Sequence, residues 1–365
     1  MNKSVLKVIR YIAIYGFVRA FVKVEGRLRL HLSLLNFKKK RDISIIGCGQ
    51  FPFSTIAYFL FFNRRGNFLG CYDIVYEKAK SLGRFYGMKK IYSDVNDLLN
   101  DEKCKLIYIA SNHSTHTDYA IEALKRNIDV YIEKPISVSN SQFNSLREAI
   151  QESKASIYVG YNRPHSKAIK YIDLKIRNKQ KPITLNCFIT GHKIEKDHWY
   201  RTPEEGTRVC GNMGHWIDLM VHLFAQRGYI PRNYFLQITY ANIDEIDDNI
   251  IVNIRTDFED IISICLTSRS EPFEGINETI NLQCDDIIAK IDDFRKLTFW
   301  QGDVKMNKIF WPKDVGHKEA IMQPFREEKR NFREVEVSTL LMLEVKHMVI
   351  NKLKSDTYSL NDDIK

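Results

Sequence analysis

Absences narrow this chain before any motif does. Its longest uncharged run, Ile43 to Asn63, is broken by Gly47, Gly49 and Pro52, so that the helical part, Gln50 to Asn63, is too short to span a bilayer, and no secretory signal with a cleavage site opens the chain. The seven cysteines, at 48, 71, 104, 187, 210, 265 and 284, include no C-x-x-C pair and no metal-ligand spacing. An odd, scattered set of this kind argues against a disulfide framework or a bound metal and predicts reduced thiols in a cytoplasmic protein. No internal repeat or low-complexity tract is present. The basic residues are dispersed without an aromatic-basic motif, so no nucleic-acid partner is expected.

What is present is length and an ordinary globular composition. At 365 residues the chain exceeds what one core usually organises, so two domains are expected. Hydrophobic content of 44% and charged content of 27% are those of a globular protein. The formal net charge of +10 favours anionic partners such as dinucleotides, nucleotide sugars, acidic glycans, nucleic acid or anionic lipid, without choosing among them.

Residues 1–41 form a distinct prefix. Val5, Leu6, Ile9, Ile12 and Tyr15 repeat at helical spacing, Lys3, Lys7 and Arg10 line another face, and Arg19, Lys23 and Arg27 resume the basic stripe beyond Gly16. One or two amphipathic helices are expected, packed on the protein itself or on a second subunit, or resting on the inner face of an anionic membrane through residues 1–30. Lys38 to Arg41 reads as a solvated linker.

From Asp42 to residue 162 strands and helices alternate, which predicts an α/β domain with a doubly wound parallel sheet. Ile43 to Ile46 reads as the first strand and leads into GCGQFPFSTIAYFLF. Gly47 and Gly49 then sit at the strand-to-helix turn, with Gln50 and Phe51 next to them, where a dinucleotide's pyrophosphate meets exposed amides and a helix dipole. Pro52 occupies the third position of the G-x-G-x-x-G pattern, which leaves the fingerprint incomplete. Phe68 to Tyr72 reads as the second strand and ends at Asp73, a candidate acceptor for the adenosine ribose hydroxyls. An aspartate there repels a 2′-phosphate and so favours NAD over NADP; a solvated loop residue or a helix cap is the alternative. Leu106 to Ala110 and Val130 to Ile132 read as further strands, with a helix from His116 to Asn127 between them. The loop Ser111, Asn112 and His113 leaves a strand's carboxyl end, where ligands of such sheets bind, while His116 is expected to cap or pack.

The order GCG, Asp73, IASNHSTH, Glu133-Lys134-Pro135 and GYNRPHS resembles the Gfo/Idh/MocA family of nicotinamide-dependent oxidoreductases, over roughly residues 42–340. The resemblance implies activity on sugars, inositols or nucleotide sugars, a cofactor site that includes Glu133 and Lys134, and a catalytic role for Lys134. An ammonium there stabilises the oxyanion as a carbinol loses its proton. Asn162 and Arg163 of GYNRPHS are candidate substrate contacts.

Residues 163–365 change character. Thr184 to Thr190, Phe235 to Tyr240, Ile250 to Arg255, Ile261 to Thr267, Thr279 to Cys284, Ile287 to Ile291 and Leu297 to Trp300 read as strands of an open, mostly antiparallel sheet. In the resembled family such a sheet carries substrate and subunit contacts, so a homo-oligomer is expected. Helices are expected around 215–226 and 336–354, and the last ten residues read as frayed.

Within this second domain, Asp197 to Asp218, DHWYRTPEEGTRVCGNMGHWID, concentrates proton-transfer and anion-binding groups. The resemblance maps the family's proton acceptor onto His215, but Gly211 stands where an aspartate precedes that histidine, and Asn212 where one subgroup has glutamate. Asn212 is then expected to orient His215 by hydrogen bonding. His198 and Trp199 are candidate pocket walls, and Arg163, Arg201 and Arg208 candidate anion clamps or ion pairs. The expected function is NAD-dependent oxidation or reduction of a sugar or nucleotide sugar in polysaccharide or glycoconjugate metabolism. A non-catalytic dinucleotide-binding subunit or sensor is the alternative.

Overall fold

The computed structural model describes residues 3–30, 32–272 and 275–360, without the side chains of Lys3 and Ser4. The chain divides into two compact units. One comprises Tyr11–Gly160 and His317–Lys329; the other comprises Met1–Arg10, Tyr161–Gly316 and Arg330–Lys365.

The first unit opens with the end of α1 (Lys3–Tyr15) and with α2 (Phe17–Leu28), separated at Gly16, whose φ of 84° breaks the helix. Six strands follow: β1 (Ile43–Ile46), β2 (Phe68–Tyr72), β3 (Lys90–Tyr92), β4 (Leu106–Ile109), β5 (Asp129–Ile132) and β6 (Ile157–Val159). All their pairings are parallel, in the order β3-β2-β1-β4-β5-β6. Between them run α3 (Ala57–Phe62), α4 (Tyr76–Phe85), α5 (Val95–Leu99), α6 (His113–Lys125) and α7 (Asn140–Glu152). Continuous apolar strands such as LIYI of β4, buried at every position, are what a sheet covered on both faces requires. Pro52 opens a π-helical turn, Pro52–Ile56, ahead of α3, where its missing N–H costs no intrahelical bond.

The second unit holds α8 (Lys167–Ile176), α9 (Gly214–Gln226) and a nine-stranded sheet. Its strands are β7 (Ile183–Thr190), β8 (Asn233–Tyr240), β9 (Ile250–Thr256), β10 (Ile261–Thr267), β11 (Asn277–Cys284), β12 (Ile287–Asp292), β13 (Lys296–Gln301), β14 (Val304–Ile309) and β15 (Ser355–Ser359). The order is β14-β13-β12-β11-β7-β10-β9-β8-β15, antiparallel except between β7 and β10. Alternating burial along β7 and β12 shows one covered face. α10 (His317–Ile321) groups with the first unit, where Tyr108 donates to the Ile321 carbonyl at 2.8 Å, and α11 (Phe332–Ile350) packs on α9 in the second.

Three expectations are corrected. The last ten residues are not all frayed: Ser355–Ser359 pair antiparallel with β8, and only 361–365 lie outside the described residues. The helix expected from His116 begins at His113, with Asn112 as its cap. The 38–41 linker is solvated at Lys38–Lys40, but the Arg41 guanidinium donates to the carbonyls of Phe68 (3.2 Å), Gly87 (2.6 Å) and Asn36 (3.0 Å).

Candidate active site

In the first unit the glycine-rich turn has the shape a dinucleotide needs. Gly47 has φ 88°, and a Cβ there would lie 2.4 Å from the Ala110 carbonyl oxygen, so only glycine fits. A Cβ at Gly49 would meet nothing within 4 Å, leaving space beside the first helical turn for a phosphate. Asp73 closes the other side: its carboxylate accepts the Cys48 N–H at 2.7 Å and the Val75 N–H at 2.8 Å. Neither bond uses up the carboxylate's acceptor capacity, so ribose hydroxyls can still be received. The residues present fit a nicotinamide dinucleotide.

Packing of the prefix on the protein itself was one of the expected readings, but the sequence did not indicate that α2 lies behind this turn. Val22, Glu25 and Gly26 of α2 are buried, and a Cβ on Gly26 would stand 2.7 Å from the Phe53 ring. Gln50 turns its amide to the Lys23 carbonyl at 3.0 Å. Arg29, just past α2, donates to the Cys48 carbonyl at 2.7 Å and lies 4.5 Å from the centre of the Phe53 ring. The Cys48 backbone is thus held by Asp73 at its N–H and by Arg29 at its carbonyl. The basic stripe expected along the prefix was the available signal, but Arg29 lay beyond it.

At the carboxyl end of β5, Glu133 is fully buried, and burial pushes its carboxyl up to about 7 against the pull of Lys134. It accepts the Tyr131 hydroxyl at 3.0 Å and the Lys134 N–H at 3.3 Å. A Cβ at Gly160 would come within 2.6 Å of this carboxylate, which explains a glycine at the head of GYNRPHS. Lys134 is half-buried, ahead of a cis bond to Pro135. His116 packs: its Nδ1 lies 2.9 Å from the Pro135 carbonyl oxygen and its Nε2 3.1 Å from that of Ser111, tying the EKP loop to the Ser111 loop. Burial lowers it to about 4, so the neutral ring donates to one of the two. Ser111 exchanges a hydroxyl hydrogen bond with Thr115 at 2.8 Å; Asn112 is exposed, His113 is buried, and Phe51 lies 5.7 Å from the His317 ring.

In the second unit a π-helical turn, Val209–Met213, delivers His215 to the first turn of α9. The half-exposed ring meets Tyr161 and Trp216 edge to face, with centroids 5.9 and 6.0 Å apart. Gly214 admits Met342 closely, since a Cβ would be 2.8 Å from its sulfur. The Oδ1 of Asn212 is buried and accepts no hydrogen bond, so it does not orient His215 through that atom. His198 and Trp199 are exposed, and the His198 Nδ1 accepts the Tyr200 N–H at 3.2 Å.

The arginines serve the protein. Arg163 makes a buried two-pronged pair with Glu278 (2.8 and 2.9 Å) over the Trp216 ring, whose N–H donates to the same carboxylate at 2.7 Å. Asn162 donates to the Val315 carbonyl at 2.5 Å. Arg208, also buried, donates to Asp248 at 2.8 Å and to the His192 carbonyl at 2.9 Å. Arg201 pairs with Glu245 at 2.7 Å and Asp248 at 3.0 Å. Of the two readings open for each arginine, anion clamp or ion pair, the structure shows the ion pair, and for Arg163 and Arg208 it is buried rather than at the surface.

Comparison with known proteins bears on the first unit most directly. Residues 41–161 match the Gfo/Idh/MocA model, described as an oxidoreductase family with an NAD-binding Rossmann fold. This segment is similar to the NAD-binding domain of that family. Inositol 2-dehydrogenase of Salmonella typhimurium is 32% identical over 176 residues, 46% of this chain and 51% of that one. The chain spans about half the length of the curated relatives first matched. The dehydrogenase MviM of Clostridium difficile superposes with a TM-score of 0.69 at 17% identity, over 86% of this chain and 100% of that one. Levoglucosan dehydrogenase, solved with NADH and L-sorbose, gives 0.71 at 13% identity, over 88% and 99%. These superpositions show a likeness in fold alone over most of the chain. The Gly47–Gly49 turn, Asp73 and Glu133-Lys134-Pro135 all fall inside the matched family segment.

Proposed function

We propose that this protein is an NAD-dependent oxidoreductase that interconverts a secondary hydroxyl and a carbonyl on a sugar or nucleotide sugar, in surface polysaccharide or glycoconjugate metabolism. One observation carries the reading: the glycine-rich turn shaped for a dinucleotide shares a domain with Glu133-Lys134-Pro135 at the end of β5. The bound nicotinamide supplies the hydride acceptor or donor. The role proposed for Lys134 is to stabilise a substrate oxyanion, and the role proposed for His215 is that of a proton acceptor. Asp73 receives the adenosine ribose hydroxyls and disfavours a 2′-phosphate, which supports NAD over NADP. Self-association through the open sheet of the second unit belongs to the same reading.

A second reading, a dinucleotide-binding subunit without turnover, draws on Gly211 and on the unpartnered Asn212 oxygen. One experiment separates the two: NADH formation with a panel of inositols and UDP-sugars, on wild type and Lys134→Ala. The first reading expects turnover that falls at least a hundredfold in the variant while NAD affinity stays within about threefold. Cofactor binding with no turnover on any panel member supports the second, and undiminished turnover in the variant removes Lys134 from its role.

A further inference from the structure

The prefix carries the chain's entire net charge. Of 55 lysines and arginines, eleven lie in residues 1–41, against one of the 45 aspartates and glutamates, which leaves 44 of each sign in the rest. That single acid, Glu25, is buried. The overall +10 is therefore one cationic element on an otherwise neutral molecule.

The same stretch exposes apolar side chains. On α2, Phe17, Phe21 and Leu28 are 69%, 42% and 59% exposed, and their spacing of four and seven places them on one helical face. The opposite face is the one seated on the glycine-rich turn through Val22, Gly26 and the Lys23 carbonyl. A helix fixed in this way cannot roll to bury its phenylalanines. The segment after it is fixed too. The Leu34 N–H donates to the Phe85 carbonyl at 2.7 Å, and the Asn36 amide donates to the carbonyls of Gly66 and Tyr86, both at 3.0 Å. Alternation then leaves Leu35 and Phe37 outward at 76% and 84%, followed by exposed Lys38, Lys39 and Lys40.

We propose that α2, Leu30 and residues 32–40 form a docking surface for an anionic lipid bilayer. Phenylalanine and leucine enter the headgroup boundary while Arg27 and Lys38–Lys40 meet lipid phosphates. Among the described residues no helix is long and apolar enough to cross a membrane, so this element rests on the surface. A second copy fits the face less well. A two-fold contact sets the same cationic patch against itself, with no exposed acid in residues 11–41 to answer it. The proposal does not depend on which reaction the protein catalyses.

The test is flotation of the full chain with vesicles of phosphatidylcholine alone or mixed with phosphatidylglycerol. Flotation is expected only with the mixed vesicles, and raised salt should lower it more than tenfold. Lys38→Glu/Lys39→Glu/Lys40→Glu should lose it by at least as much, since each surface cation contributes about fivefold. Phe17→Asp/Phe21→Asp should lose it as well, with unchanged melting temperature and NAD affinity because both sites are exposed. Absence of flotation with the mixed vesicles, or full flotation of the aspartate variant, overturns the proposal. So does a wild-type dimer that the aspartate variant dissolves, which would assign the face to a second copy.

Discussion

Gly47 and Gly49 look equivalent in the sequence, and the structure separates them. At Gly47 an added methyl group meets both a positive φ and a backbone carbonyl 2.4 Å away that cannot swing aside. Gly47→Ala should therefore destabilise the domain by about 2–4 kcal/mol, summing left-handed strain and displacement of the neighbouring loop. At Gly49 the methyl group meets open space. Gly49→Ala should leave the thermal midpoint within a degree or two while weakening NAD binding tenfold or more, because the methyl group then stands where the pyrophosphate approaches the helix. Thermal melting with and without NAD distinguishes the two substitutions. If Gly49→Ala melted early, the open space beside it would not be a ligand's.

At the scale of elements, α2 is a strut of the nucleotide domain. Arg29→Ala removes a charged donor from the Cys48 carbonyl, an interaction worth about 1.5–3 kcal/mol. Since Cys48 lies between the two glycines, part of that loss should appear as NAD affinity weakened about tenfold, measured by calorimetry. Arg29→Lys should recover part of it, because a lysine can still reach a carbonyl. Unchanged affinity in Arg29→Ala would reduce α2 to packing alone. This strut marks where the sequence stopped being legible. β1, β2, β4 and β5 were readable because strands covered on both faces are short apolar runs, and the seven central strands of the second sheet because one face alternates. β14 and β15, reading VKMNKI and SDTYS, lie at the sheet's edges, bury too little to show a pattern, and went unseen. The site divides in the same way. Gly47 and Asp73 follow from backbone chemistry that sequence order carries, whereas the pairing of Arg163 with Glu278, 115 residues away, depends on folding that spacing does not encode.

Across a whole unit, charge burial should set the pH range of stability. In the second unit His222 lies between Asp173 (3.2 Å) and Glu334 (2.8 Å), and Arg330 joins Glu334 to the buried Asp218, so that α8, α9 and α11 share one ionic cluster. Burial alone would lower the His222 pKa, but the two carboxylates outweigh it and push it up to about 9; Glu334 is held down to about 2, Arg330 and His222 overcoming the opposite effect of burial. A histidine bound more tightly to its proton in the folded state than in the unfolded one stabilises the fold fully below about 6.5, and that contribution is lost as pH climbs through 9. The loss is bounded at about 3–4 kcal/mol, from the distance between those two values at roughly 1.4 kcal/mol per unit. Denaturant midpoints should accordingly fall between pH 6.5 and 9. His222→Asn, which keeps the size but not the titrating proton, should be less stable at pH 6 and nearly flat across that window. A variant that still declined like wild type would place the alkaline sensitivity in groups other than this cluster.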